Sequence, residues 1–161
     1  MRKLQDNLSI AHCFARLHRN AKAYIVDSCR AWNLTYSEYV LLLRLFEEEG
    51  CSQEDLAMEL DLDKAAITRS IQLLEQKNFL YRKTDTTDRR KKKLFVTPYG
   101  RSQQQILQKI LESWVEYLAE GISPKEFDVV VRAFAKLSVR SGAADFNKVR
   151  KGIQQEAEVH E

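Results

Sequence analysis

Apolar positions in this 161-residue chain recur mostly three and four apart, the spacing of amphipathic helices. Leu4, Leu8, Ala11, Phe14, Ala15, Leu17, Ala21, Tyr24 and Ile25 predict a long first helix from Leu4 to Trp32. Thr35 with Glu38 three residues later forms a capping box, which opens a second helix running to near Gly50. Ser52 with Asp55 opens a third, short helix. After a tight connection at Asp61-Leu62, Asp63 caps a fourth helix from Lys64 to Lys77, and Asn78 suits the left-handed position beyond its end.

The period then changes. Phe79–Lys83 and Lys93–Thr97 carry aromatic and β-branched residues, so they predict two short strands. The polar run Thr84–Lys92 between them is too long for a tight turn and is expected to project. Thr97-Pro98 reads as an N-cap followed by proline at the first helical position. The fifth helix it opens reaches Glu120, with Ile106, Leu107, Ile110, Leu111, Trp114, Val115 and Leu118 expected to face inward and Gly121 as its stop. Ser123-Pro124-Lys125-Glu126 is a further capping box for a sixth helix carrying Phe127, Val130, Val131, Phe134 and Leu137. A last amphipathic piece is expected over 143–156, before a polar, fraying end.

Helix, turn, helix, strand, projecting loop and strand is the order of a winged helix. The predicted class is therefore mainly α with a small β-hairpin wing. In the fourth helix Ile67, Ser70, Ile71 and Leu74 share one arc, while Ala65, Thr68, Arg69, Gln72 and Gln76 share the opposite one. The second arc is polar and compact enough to enter a major groove. There Arg69 matches guanine, Gln72 matches adenine and Ala65 matches a thymine methyl.

Composition adds limits. Five glycines and two prolines exclude an all-β chain rich in turns. Apolar residues at 44% and charged residues at 30% are those of a globular chain. No apolar run reaches a membrane span, and the start has Arg2 and Lys3 without an apolar stretch, so a cytoplasmic protein without a signal peptide is expected. Cys13, Cys29 and Cys51 are odd in number and widely spaced, which argues against a disulfide framework or zinc ribbon. His12, His18 and His160 form no metal constellation, and no nucleophile–base pair or phosphate loop is present, so neither an enzyme nor a cofactor is expected.

The net charge of +3 hides an asymmetry. Tyr81–Arg101 holds eight basic residues against Asp85 and Asp88, a local +6, while Tyr36–Asp61 holds eight acids against Arg44, a local −7. A basic strip directly after a groove-sized helix is an electrostatic footprint for a polyanion, set against the plainer reading of a solvated loop. Arg89, Arg90, Lys91 and Lys92 would reach phosphates or a narrow minor groove, and Asp88 would orient an arginine of the tip.

Asp88-Arg89-Arg90 followed by Leu94-Phe95-Val96-Thr97-Pro98-Tyr99-Gly100 resembles the wing and strand-to-helix junction of the MarR family of bacterial transcription regulators. Val96 stands where leucine is usual. Ser52–Ala57 and Ala66–Lys77 resemble that family's helix-turn-helix, with Asn78 in place of the common glycine, and Asn33–Tyr39 resembles the opening of its second helix.

The resemblance covers about Leu4 to Leu137 and implies a homodimeric repressor on an inverted-repeat operator in double-stranded DNA. It implies a dimerisation helix over 1–34, a winged helix-turn-helix over 35–97 and dimerisation helices over 98–161. The broad apolar faces at both chain ends agree, since a small winged-helix core cannot absorb them. The alternative is a compact monomer that they cover. Carried over by position, the family's DNA contacts fall on Ser52, Gln53, Lys64, Ala65, Thr68, Arg69 and Arg90.

The resemblance also implies release by a small phenolic or lipophilic effector, or by cysteine oxidation. Trp32, Tyr36 and Tyr39 are candidates for an effector pocket, with ordinary core packing as the alternative. Cys13 lies near where the peroxide-sensing subgroup carries its reactive cysteine, and Phe14 follows it as in that subgroup. That subgroup's assisting tyrosines would fall near Leu17 and Asp27, and neither is tyrosine. His12, Arg16 or Tyr39 would activate the thiol if close; otherwise Cys13 is a small residue buried between helices. A rival function is a protein-interaction winged helix whose wing binds an acidic partner.

Overall fold

The computed structural model describes residues 2–60, 63–85, 91–148 and 150, with side chains from residue 8 onward. Its elements are α1 (Arg2–Ser28), a 3-10 turn (Arg30–Trp32), α2 (Tyr36–Glu47), α3 (Gln53–Glu59), α4 (Lys64–Gln76), β1 (Leu80–Thr84), β2 (Lys92–Val96), α5 (Pro98–Ala119) and α6 (Pro124–Gly142). Residues 1–118 and 119–161 form two compact units.

Local chemistry sets most of the boundaries. Thr35 and Ser52 close full capping boxes with Glu38 and Asp55, and the Asp63 carboxylate accepts from the N–H groups of Ala65 and Ala66. Asn78 is left-handed at φ 60° after α4, and Gly121 at φ 76° follows α5. The Thr97 hydroxyl accepts from the Gly100 N–H at 2.9 Å, capping α5 behind Pro98.

Four expectations need correction. The first helix stops at Ser28, and the chain tightens into a 3-10 turn closed by left-handed Asn33, whose N–H donates to the Arg30 carbonyl. α2 ends at Glu47 rather than near Gly50, because Glu48 turns extended and Gly50 takes φ 80°. The strands pair Leu80 with Val96 through Thr84 with Lys92, one residue later than predicted for β1 and one earlier for β2. Of the seven α5 residues expected to face inward, only Leu107 is fully buried, and Ile106, Leu111 and Val115 are exposed.

The core of the first unit lies where α2, α4 and the hairpin meet. Leu41, Leu42, Leu45, Leu56, Ile67, Ile71, Leu74, Phe79 and Leu94 are all essentially inaccessible. Each such side chain contributes about 1.5–3 kcal/mol on burial, so the three from α4 alone fix its depth. In the second unit α6 begins with a capping box between Ser123 and Glu126. Its Val129, Val130, Val131, Phe134, Leu137 and Val139 are exposed. Beyond it Phe146–Lys148 is helical, and the rest of the expected last helix lies outside the described residues apart from Arg150.

Candidate nucleic-acid interface

α4 divides as its sequence predicts. Ile67, Ser70, Ile71 and Leu74 are buried, while Lys64, Ala65, Arg69, Gln72 and Gln76 are exposed. Thr68 is half-buried and spoken for: its hydroxyl donates to the Lys64 carbonyl at 2.7 Å and accepts from Gln53 Nε2 at 2.6 Å. The bond joins the first residue of α3 to the second turn of α4. It sets the two helices of the turn against each other, something a helical wheel of α4 alone does not reveal.

Ser52 is equally occupied. Its hydroxyl donates to the Asp55 carboxylate at 2.7 Å, its N–H to the same oxygen at 2.9 Å, and these bonds hold the Asp55 carboxyl below the usual carboxylate range. In this conformation both Ser52 donors serve the start of α3.

Asp88, Arg89 and Arg90 lie outside the described residues. The base of the wing is fully described. Lys91 and Lys92 are exposed and form no ion pair among the described residues, as is Lys83 on the opposite strand. The Asp85 N–H donates to the Lys91 carbonyl at 2.9 Å, and its nearly buried carboxylate takes Lys93 at 3.0 Å. Asp85 therefore closes the neck of the hairpin, a role hidden when it counts only as one acid in a basic strip. Tyr81 stacks on Phe95 across the strands with ring centroids 5.7 Å apart.

The local charges are smaller than the sequence totals. Arg82 pairs with Glu75 at 3.4 Å, and Arg101 binds Glu49 while lying 5.9 Å from the centroid of Phe46. On the acidic side Glu38 is fully buried against Lys77, Asp55 caps α3, and Arg44 holds both Glu48 and Glu59. Much of the acidic stretch is thus scaffold, and among the described residues from 36 to 101 the cations without an ion pair are Lys64, Arg69, Lys83, Lys91 and Lys92.

Backbone pairing ties this cationic hairpin to the helix-turn-helix. The Gly50 N–H donates to the Leu94 carbonyl at 2.8 Å, the Leu94 N–H to the Cys51 carbonyl at 3.0 Å, and Ser52 bridges Lys93. The Val96 N–H donates to Glu49 at 3.1 Å. None of these bonds follows from strand propensity, because 48–52 is too short to read as a strand.

The sensing candidates separate. Tyr39 is 1% exposed and its hydroxyl donates to the Leu107 carbonyl at 2.9 Å, so it is committed to α5 rather than to Cys13. Trp32 Nε1 donates to Gln103 Oε1 at 2.9 Å, and Tyr36 meets His18 edge-on at 5.9 Å; both pack on the core. Cys13 and His12 are exposed on α1 of the single chain. Cys29 is the inert thiol: burial pushes it up to about 11. Burial also raises Cys51. Among the described residues no group of His, Cys, Asp and Glu is arranged to hold a metal, and no helix is long and apolar enough to cross a membrane.

The MarR family model matches residues 34–92, which span α2, α3, α4 and the hairpin. The HTH-type transcriptional regulator BilQ of Clostridioides difficile is 27% identical over 124 residues, covering 77% of this chain and 84% of BilQ. BpsR of Bordetella bronchiseptica, whose structure describes regulation of DNA binding by 6-hydroxynicotinic acid, matches with TM-score 0.71 and 25% identity, covering 80% of this chain and 92% of that one. A MarR-type regulator from Listeria monocytogenes, solved with a 26mer DNA, shares the fold at TM-score 0.80 and 22% identity, covering 88% of this chain and 94% of that one. Over residues 34–92, with its helix-turn-helix and basic antiparallel wing, the chain matches the MarR family, whose members are DNA-binding transcriptional regulators and not enzymes.

Proposed function

We propose that the chain is a cytoplasmic repressor that binds an inverted-repeat operator as a homodimer and is released by a small molecule. The observation that carries the reading is the continuity of two surfaces. The exposed arc of α4, with Lys64, Ala65, Arg69 and Gln72, belongs to the same compact unit as Lys83, Lys91 and Lys92 of the hairpin, which form no ion pair among the described residues. A groove-sized helix reads base edges, and cations on a neighbouring strand pair neutralise phosphates. The sequence between the strands adds Arg89 and Arg90 to that charge, together with Asp88, a carboxylate able to pair with an arginine. Gln53 and Thr68 act chiefly by bracing α3 against α4. The Listeria protein's DNA complex supports this use of the shared fold.

Dimer formation is supported by apolar surface. α1 exposes Leu8, Ile10, Phe14 and Leu17, α5 exposes Ile106, Leu111 and Val115, and α6 exposes its valines and Phe134. Release by an effector is supported by BpsR, whose DNA binding is regulated by 6-hydroxynicotinic acid. The exposed thiol of Cys13 favours oxidation as a second route of release.

The test is duplex binding across salt concentrations. A dimer covering about 6–10 phosphates gives a log–log slope of about −5 to −9. Arg69→Ala is expected to relax base preference at a cost of about 1–3 kcal/mol, while Lys92→Ala weakens all duplexes alike. A slope near zero overturns the reading and leaves the acidic-partner alternative standing.

A further inference from the structure

The apolar packing of Ile67, Ile71 and Leu74 fixes how deep α4 sits, but such contact is non-directional and tolerates small slides and rotations. Direction comes from polar ties. Among the described residues these are Thr68 to Gln53, Glu75 to Arg82, and a third at the C-terminal end of the helix. The third is the buried one. Lys77, the C-cap of α4, donates to Glu38 Oε1 at 2.7 Å and to the Asn33 carbonyl. Glu38 is 0% exposed, and its other oxygen accepts the Thr35 N–H at 2.6 Å as the α2 cap. One carboxylate therefore starts α2 and holds the end of α4.

The groups that Lys77 grips belong to the junction between the 3-10 turn and α2. Next to Asn33, Trp32 donates to Gln103 of α5. A continuous line of directional bonds thus runs from α5 through the junction to α4. Lys77 lies about 20 Å along the helix from Lys64 at 1.5 Å per residue, and its ammonium is turned into protein, so it is no phosphate ligand.

We propose that Lys77 is a positioning residue for sequence recognition: its ammonium, clasped by Glu38 and Asn33, sets the slide and rotation of α4 and so aims Ala65, Arg69 and Gln72 at the bases. This rests on the reading of α4 as the recognition helix. A rotation of α4 leaves charge and phosphate contacts nearly unchanged but misaligns bidentate base contacts, so the loss falls on specificity.

The test uses two duplexes: one selected by the wild-type protein from a randomised pool, and a scrambled version of it. Lys77→Met keeps the apolar stem but strands a buried carboxylate, so it is accompanied by Lys77→Met/Glu38→Gln, which removes both charges and leaves an amide oxygen to cap Thr35. The double variant is expected to fold and to bind scrambled DNA with wild-type affinity and salt slope, yet to lose about tenfold in preference for the selected duplex. Lys77→Arg is expected to restore most of that preference. An unchanged preference overturns the proposal, as does an equal loss on both duplexes with a shallower slope, or failure of the double variant to fold. A wild-type protein that selects no duplex fails the recognition reading as well, and is told apart from failure of the Lys77 role alone, where all variants discriminate equally.

Discussion

Cys29 shows how one residue couples position to pH. It sits fully buried at the end of α1, and burial pushes its thiol from 9.0 up to about 11. Below pH 9 the thiol is neutral in both folded and unfolded chains and contributes no slope. Between pH 9 and 11 the unfolded chain ionises while the folded one does not, so stability falls as pH rises. Urea unfolding of wild type is expected to lose about 2 kcal/mol more over that window than Cys29→Ala, the difference isolating this thiol. At neutral pH a thiol reagent is expected to label Cys13 readily and Cys29 only on unfolding. The resemblance singles out Cys13 among the three cysteines, but the sequence does not give their burial, because burial arises from contacts far apart along the chain. Glu38 makes the same point: local spacing identifies it as a cap, and only the fold reveals that it also holds Lys77.

Elements were legible wherever their ends depend on neighbouring residues. The boxes at Thr35, Ser52 and Ser123 and the left-handed Asn78 are properties of three or four consecutive residues, and each stands where its spacing puts it. Strand ends were off by one residue because register depends on the partner strand and on Asp85 closing the neck. The junction between the hairpin and α5 was legible as a motif but not as a mechanism. A methyl group at Gly100 would lie 2.3 Å from the Phe79 carbonyl oxygen and 2.8 Å from Val96 Cγ1. The Phe79 carbonyl also accepts the Thr97 N–H, so it has little room to retreat. Gly100→Ala is expected to destabilise the protein by about 1–3 kcal/mol, read as a lower urea midpoint, and to weaken DNA binding by shifting the wing relative to α4.

For the molecule as a whole, the sequence shows how much apolar surface the helices carry but not which part of it each chain buries by itself. α5 spends Leu107 on its own unit and leaves Ile106, Leu111 and Val115 outside. Periodicity cannot divide a broad stripe between an internal core and an interface. Light scattering is therefore expected to give about twice 18.8 kDa. Leu111→Asp is expected to halve that mass and to reduce operator affinity far more than it lowers the unfolding midpoint. A wild-type mass of one chain at binding concentrations would leave these exposed faces unexplained and remove the two-half-site geometry.

The strip of backbone from Gly50 to Ser52, laced to β2, reaches beyond local stability. It makes the hairpin a fixed jaw rather than a swinging flap, because its inner strand is stitched to the doorstep of α3. A force on the hairpin is carried through these bonds to the start of α3. On the proposed function, a displacement at one of the two DNA-facing surfaces is carried to the other, so an effector acting on either one would loosen both.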